Sequence, residues 1–156
     1  MRTEKTKKTF YNQDYNTYKM YSSSAHWYDD LILDIQNAVS FIYIETFRMM
    51  EDEVGERICN ALIEKAKQGI RVRLLVDWWG TKTSNVYIKN LSEAGAEVRY
   101  FQKLVVSIAL FSRNHMRDHR KIVVIDNEIG YIGSANFSQY STQWRESILR
   151  IKGNVA

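Results

Sequence analysis

The sequence predicts an α/β domain built on a mixed β-sheet flanked by helices. Helical and strand patterns alternate over residues 22–101, which is typical of parallel strands joined by helices. Two apolar strand patterns then follow each other directly at 119–126 and 129–136. Their two-residue separation indicates an antiparallel hairpin. A last strand is predicted over residues 146–152, so the sheet gains antiparallel strands at its end.

The individual elements follow from periodicity and end signals. Apolar residues at helical spacing predict helices over 22–38, 53–68 and 86–94, the last two closed by Gly69 and Gly95. Segments rich in β-branched and aromatic residues predict the three intervening strands. Their sequences are VSFIYIETF, RVRLLVD and EVRYF.

Length and composition limit the possible functions. A chain of 156 residues is expected to form one domain, with a polar, tyrosine-rich N-terminal arm over residues 1–21 and the domain proper over 22–156. The net charge of +4, from 22 basic and 18 acidic residues, weakly favours anionic partners such as nucleic acid or lipid headgroups. Cys59 is the only cysteine, which excludes an intrachain disulfide and a thiolate metal cluster.

Neither a signal peptide nor an apolar run long enough to span a membrane is visible. We therefore expect a cytoplasmic protein, with or without peripheral contact to a membrane.

Four polar side chains are expected at the open end of the hairpin. If its turn has two residues, His119 faces Asn136 and Lys121 faces Ser134, and all four share one face of the sheet. An imidazole, an ammonium, a hydroxyl and an amide suit a tetrahedral anion. A turn with an odd number of residues would shift this register. Asp126 has the opposite parity and lies at the far end of its strand, so we expect a turn-former or structural acceptor there.

The segment HRKIVVIDNEIGYIGSAN, residues 119–136, resembles the HxKx4Dx6GSxN signature of the phospholipase D superfamily in residue types and in both internal spacings. RDHRKIVVID is similar to the form found in cardiolipin synthase-like members, and the resemblance covers residues 22–153. It implies the phospholipase D-like α-β-α sandwich, of which this chain would be one half with a single motif. Within the motif, Asp126 and Gly133 are structural positions.

The resemblance also implies roles for the polar side chains. His119 would attack phosphorus to give a phosphohistidine, Lys121 and Asn136 would bind the phosphate, and Ser134 would be a supporting donor. An acidic residue after the motif usually hydrogen-bonds the histidine, and Glu146 in QWRES is the candidate. The family needs no metal or other cofactor.

Three functions remain open at this stage. The first is a phosphodiester-cleaving or phosphatidyl-transferring enzyme acting on phospholipids, of cardiolipin synthase or phospholipase D type. The second is a metal-independent homodimeric endonuclease of the same superfamily, and the third is a non-catalytic module of the same fold. Larger members build one active site from two motifs, so a dimer partner or a second half is expected here.

Other residues have weaker signals. Glu45 ends a strand, where it could make a buried hydrogen bond or serve the site. Trp78 and Trp79 follow a strand and could pack or form a substrate lip. The apolar segment KLVVSIALF (103–111) could be core or could meet acyl chains, and His115 could be a loop residue or a substrate contact.

Overall fold

The computed structural model describes residues 16–82, 84–101 and 117–153, which form a mixed seven-stranded sheet and three α-helices. In chain order the elements are β1 (Thr17–Ser23), α1 (Ser24–Asn37), β2 (Phe41–Thr46), α2 (Glu53–Lys67), β3 (Arg71–Asp77), α3 (Val86–Glu93), β4 (Glu97–Phe101), β5 (Ile122–Ile125), β6 (Ile129–Gly133), a short 3-10 helix (Gln139–Gln143) and β7 (Arg145–Lys152).

The strands are ordered β1-β7-β6-β5-β2-β3-β4 across the sheet. Strands β2, β3 and β4 are parallel, as the alternation with helices predicts. Strands β5, β6, β7 and β1 pair antiparallel with their neighbours. The predicted α/β class with a mixed sheet is therefore confirmed.

The helices begin and end where their sequences signal. In α2, the Asp52 side chain accepts a hydrogen bond from the Gly55 N–H at 3.1 Å, and acidic residues stand in the first turn while lysines stand in the last. Both features stabilise a helix, because the cap satisfies a free N–H and the charges oppose the helix dipole. Ile58 and Leu62 of this helix are fully buried against the sheet.

All three helices contribute to one core on a single face of the sheet. That core takes alternate residues of the strands, among them Ile42, Leu74, Val123, Tyr131 and Ile148. On the opposite face, no helix of the described residues covers the strands. One row on that face crosses all seven strands and consists of Met20, Leu149, Ile132, Ile122, Glu45, Leu75 and Arg99.

The predicted register of the hairpin is wrong by one residue. Ile125 pairs with Ile129, so the connection has three residues, and Lys121 lies opposite Gly133 rather than Ser134. The cause is Asp126, whose carboxylate accepts hydrogen bonds from three backbone N–H groups of residues 39–41 at 2.7–2.8 Å. Held outside the hairpin, Asp126 and Asn127 adopt left-handed backbone angles (φ 55° and 58°), which Asp and Asn tolerate better than most residues.

Strand β1 was not expected from the sequence. Residues 17–21, assigned above to the N-terminal arm, belong to this edge strand and pair with β7 in the register Tyr18–Ile151 and Met20–Leu149. Residues 1–15 of the arm lie outside the described part of the chain. Among the described helices, none is both long and apolar enough to cross a bilayer.

Candidate active site

One edge of the sheet gathers the residues that the motif singled out. The carboxyl ends of β2 and β3, the start of β5, the end of β6 and the start of β7 all lie there, as the strand registers require. We call this the site edge. Loops leaving the carboxyl ends of parallel strands are the usual place for binding sites in α/β folds.

His119 and Lys121 are in direct contact at the site edge. Lys121 Nζ lies 3.0 Å from His119 Nδ1 and donates to the His119 carbonyl at 2.7 Å. The His119 side chain is exposed, whereas Lys121 is only 8% exposed. A buried ammonium beside an exposed imidazole gives a reactive group at the surface with a fixed positive charge behind it.

Phe47 and Arg48, which follow β2, also belong to this site and were missed by sequence reasoning. The Phe47 ring lies 4.8 Å from the His119 ring, centroid to centroid. Lys121 Nζ is 5.5 Å and Arg48 Cζ is 5.6 Å from the same centroid. The ring therefore supports the imidazole and both cations. No periodic or motif signal marks these two residues, because only the tertiary fold brings them to His119.

The charge state of Lys121 depends on its surroundings. Burial lowers the pKa of the Lys121 ammonium from its usual value, because the charged form loses hydration. The carboxylates of Glu146 and Asp118 oppose this shift, while the guanidinium of Arg48 adds to it. The net direction is downward, so the two carboxylates do not fully offset the cost of burying the ammonium.

The backbone on either side of His119 is held by acidic groups. The fully buried Asp77 accepts from the Asp118 N–H at 3.0 Å. The Asp118 carboxylate accepts from Arg120 Nε at 3.0 Å, and Arg120 also pairs with Glu45 at 2.7 Å. These contacts fix the residues before and after His119.

Glu45 is held in this network with an altered pKa. Burial, together with its hydrogen bond to Asp118, raises the pKa of Glu45 to about 7. Glu45 lies beside the segment that carries His119, which agrees with a role in the site. Its contacts, however, are with Asp118 and Arg120 and not with His119.

Ser134 and Glu146 form a second pair at the site edge. The Ser134 hydroxyl donates to the Glu146 carboxylate and accepts from the Ser147 N–H at 3.0 Å. Within the described residues, Glu146 makes no hydrogen bond to His119, and its influence reaches Lys121 through space. The carboxylate thus orients the serine in this chain, not the histidine.

Gly133 has a steric reason to be glycine. A Cβ there would lie 2.5 Å from the Ser147 carbonyl oxygen and 2.9 Å from Ile148 Cα. The close approach brings β7 against β6 just where the Ser134 and Glu146 pair forms.

Asn136 lies where the chain leaves the sheet for the core. Its carbonyl accepts from the Tyr28 hydroxyl, and Phe137, next along the chain, is buried beside Trp27. The side-chain oxygen of Asn136 is buried and has no hydrogen-bond partner within the described residues. An unsatisfied buried amide oxygen is costly, and only a hydrogen-bond donor can relieve that cost.

Asp126 lies apart from these groups. Burial alone would raise its pKa, but hydrogen bonds from Phe41, Val39 and Ser40 and the charge of Lys65 outweigh it, so the pKa is lowered. Four residues of extended strand, or five steps that span about 17 Å, separate it from Lys121. Asp126 therefore lies at the edge of the sheet opposite the site edge, away from the other motif residues.

The remaining predicted residues are placed unequally. Trp79 is 66% exposed with the Arg117 guanidinium 5.3 Å from its ring, while Trp78 is half-buried. His115 and the segment 103–111 lie outside the described residues. No group of three or more His, Cys, Asp or Glu side chains suited to a metal occurs within the described ranges.

Comparison with known proteins identifies the family. Residues 31–156 match the family described as "Cardiolipin synthase, PLD-like domain". The chain is 36% identical over 151 residues to cardiolipin synthase of Staphylococcus aureus, a match that takes in 90% of this chain and 30% of that protein. The chain thus spans under a third of the length of this relative.

Solved structures agree with the fold. NucT from Helicobacter pylori superposes with a TM-score of 0.67 at 19% identity, over 88% of this chain and 86% of that one. Nuc from Salmonella typhimurium, a phospholipase D family member, superposes with a TM-score of 0.66 at 17% identity, over 89% and 84% of the two chains. The chain belongs to the cardiolipin synthase-like branch of the phospholipase D superfamily.

Proposed function

We propose that this chain supplies one half of the active site of a phosphodiesterase or phosphatidyltransferase that acts on phospholipids through a phosphohistidine at His119. The observation that carries this is the exposed imidazole of His119 with the buried Lys121 ammonium on its Nδ1. Such a pair offers a nucleophile and an anchored cation to the same phosphate group.

The observed contact between His119 and Lys121 corresponds to a resting arrangement. A charged Lys121 donates to Nδ1, which leaves the proton of the neutral imidazole on Nε2. Attack by Nε2 requires the opposite tautomer. An incoming phosphate draws the ammonium away from Nδ1, so that Nδ1 can hold the proton and Nε2 presents its lone pair.

The reaction then has two displacements at phosphorus. Nε2 of His119 forms a bond to phosphorus while the bond to the leaving alcohol oxygen breaks, and that oxygen takes a proton from a general acid. Water or the hydroxyl of a second lipid next attacks phosphorus and gives its proton to the conjugate base of that general acid, while the P–N bond breaks and its electron pair returns to Nε2. Lys121 and the NH2 group of the Asn136 amide stabilise the charge on the phosphoryl oxygens. The Ser134 hydroxyl, whose one proton is donated to Glu146 in the structure, would join them by turning that O–H from the carboxylate to a phosphoryl oxygen.

A second copy of the motif is needed for the general acid. The described residues place His119 alone at the site edge, and the other two histidines are His26 in α1 and His115. A dimer partner or a second half of a longer chain would supply the missing histidine. Peripheral contact with a bilayer would give this site access to phospholipid headgroups.

A phospholipid substrate is favoured by the family match and by the 36% identity to a cardiolipin synthase. The test is incubation of the purified chain with phosphatidylglycerol vesicles, followed by thin-layer chromatography, with solution mass measured in parallel. The expected result is cardiolipin or phosphatidic acid from an assembled species. His119→Gln should abolish it and the exposed His26→Gln should not.

A parallel incubation with supercoiled plasmid in the presence of a chelator tests the endonuclease alternative. Nicking that depends on His119, with phosphatidylglycerol unchanged, would reject the lipid substrate in favour of nucleic acid. A folded protein inactive on both substrates even as a dimer, or when joined to a second half, would identify it as a non-catalytic module.

A further inference from the structure

We infer that Arg48 is a second cationic phosphate-binding residue of this site, acting beside Lys121 on the non-bridging oxygens of the phosphodiester. The inference rests on the proposed function for its substrate class. The residue lies outside the motif, in the turn that follows β2, and its assignment comes from three features of the structure.

The first feature is a shared platform. The guanidinium of Arg48 and the ammonium of Lys121 lie 5.6 and 5.5 Å from the centroid of the Phe47 ring, and the His119 ring lies 4.8 Å from it. Cations settle against an aromatic face because of its negative quadrupole. Phe47 thus holds both charges within reach of a group bound at the imidazole.

The second feature is that Arg48 has no counter-ion within the part of the chain that the structure describes. Arg117, Arg120 and Arg150 each pair with a carboxylate. Arg48 forms no ion pair with any described residue, and its Nε is buried without a hydrogen-bond partner. A buried guanidinium N–H without an acceptor is unfavourable, and a phosphate oxygen would satisfy it with a charge-assisted hydrogen bond.

The third feature is that the backbone of this turn is fixed. The Arg48 carbonyl accepts from the Phe137 N–H at 3.0 Å, which joins it to the segment carrying Asn136. The Phe47 carbonyl accepts from Thr81 Oγ1 at 3.3 Å, and a Cβ at Gly80 would lie 2.1 Å from that carbonyl oxygen. Arg48 and Asn136 are therefore held in a constant relative position.

Together these features describe two cations, Arg48 and Lys121, held on one aromatic ring beside the imidazole of His119. The charge of Arg48 contributes to lowering the pKa of Lys121, because the two cations repel each other. A tetrahedral dianion or phosphodiester between them removes that repulsion and gains hydrogen bonds to both. The planar fork of Arg48 can bind two oxygens at once, whereas Lys121 acts as a point charge.

The test is titration of the full chain with tungstate, a tetrahedral anion that needs no turnover, by isothermal calorimetry. Arg48→Gln should weaken binding about tenfold or more, because a charge-assisted contact is lost. Arg48→Lys keeps the charge but not the planar guanidinium, so its Kd for tungstate should lie between those of wild type and Arg48→Gln. The matched control is Arg71→Gln, which removes the same charge at the start of β3, on the opposite edge of the sheet, and should stay within about twofold of wild type.

Binding by Arg48→Gln equal to wild type would overturn the inference, as would the absence of saturable tungstate binding by the wild-type chain. If thermal melting shows that Arg48→Gln does not fold, Arg48→Lys decides: a Kd unchanged from wild type contradicts bidentate binding. Tungstate binding that depends on Arg48 in a protein that leaves both phosphatidylglycerol and plasmid intact would support this inference while refuting the proposed catalysis.

Discussion

Replacing Asp126 by Asn should destabilise the fold without altering the chemistry at His119. Asn keeps the tolerance for the left-handed backbone at this position (φ 55°). Its amide keeps one oxygen, which can still accept from Ser40 and Phe41, but its NH2 group cannot accept the bond that the second carboxylate oxygen takes from Val39 at 2.7 Å. The substitution therefore tests the side-chain contacts alone.

The size of the effect follows from the exposure of the donors. Hydrogen bonds to a charged group contribute about 1.5–3 kcal/mol each, but water can replace the carboxylate at the exposed Val39 and Ser40. The bond from Val39 is lost in full, whereas the bonds from Ser40 and the half-buried Phe41 persist on the amide oxygen without the charge that strengthens them. We therefore expect a loss of about 2–4 kcal/mol of unfolding free energy, which corresponds to a melting temperature lower by roughly 5–15 °C for a domain of this size.

Thermal unfolding by circular dichroism measures this, with tungstate affinity as the functional readout. The pKa of Asp126 is lowered in the fold, so its contribution is complete above pH 4 and is lost as the pH falls through the folded value. The difference between wild type and variant should shrink in acid. Glu128→Gln, the same charge change two residues away, is the control. An Asp126→Asn protein that melts with wild type but has lost tungstate binding would refute the structural role.

Three further outcomes are expected. The pKa of Glu45 is raised to about 7, so the folded state keeps its proton to a higher pH than the unfolded chain does. Wild type should therefore lose about 2 kcal/mol of unfolding free energy between pH 4.5 and 7, and Glu45→Gln should not show this loss. Melting temperatures that change equally in the two proteins between pH 5 and 8 would contradict this. Gly133→Ala should cost about 1–3 kcal/mol by forcing β6 from β7, and an unchanged denaturant midpoint would disprove the steric role. Asp77→Asn keeps one acceptor oxygen, so it can serve either the Asp118 N–H or the N–H groups of Trp79 and Gly80 but not both, and should cost about 1–3 kcal/mol. The imidazole resonances of His119 should shift as well, and identical spectra would show that Asp77 does not position it.

Much of the fold was predictable because local periodicity and burial agree. In α2 the apolar residues at positions 58 and 62 are both fully buried, and Gly69, predicted to close the helix, follows its end with a left-handed φ of 84°. The parallel strands β2 and β3 read as apolar segments between helices and were predicted to within two residues of their bounds. Strand β1 escaped prediction because it is a polar edge strand whose partner, β7, lies at the other end of the chain.

The sequence predicts several of the residues that form the site, but not how the fold arranges them. The motif spacing identified His119 and Lys121, which do meet at the site edge. The hairpin register was mispredicted because a side chain at the turn, Asp126, bonds to residues more than eighty positions earlier. Phe47 and Arg48 carry no local signal, since their relation to His119 exists only in three dimensions.

The nucleophilic role of His119 can be tested without a second half of the active site. The substrate bis(p-nitrophenyl) phosphate releases p-nitrophenolate, a stable anion that needs no general acid. With this substrate the lone chain should release up to one equivalent of p-nitrophenolate per site in a burst and then stop. Mass spectrometry of the acid-labile adduct should place the phosphoryl group on the His119 peptide, and His119→Gln should show neither burst nor adduct. A wild-type chain without a burst, or an adduct on any other residue, would contradict the central claim.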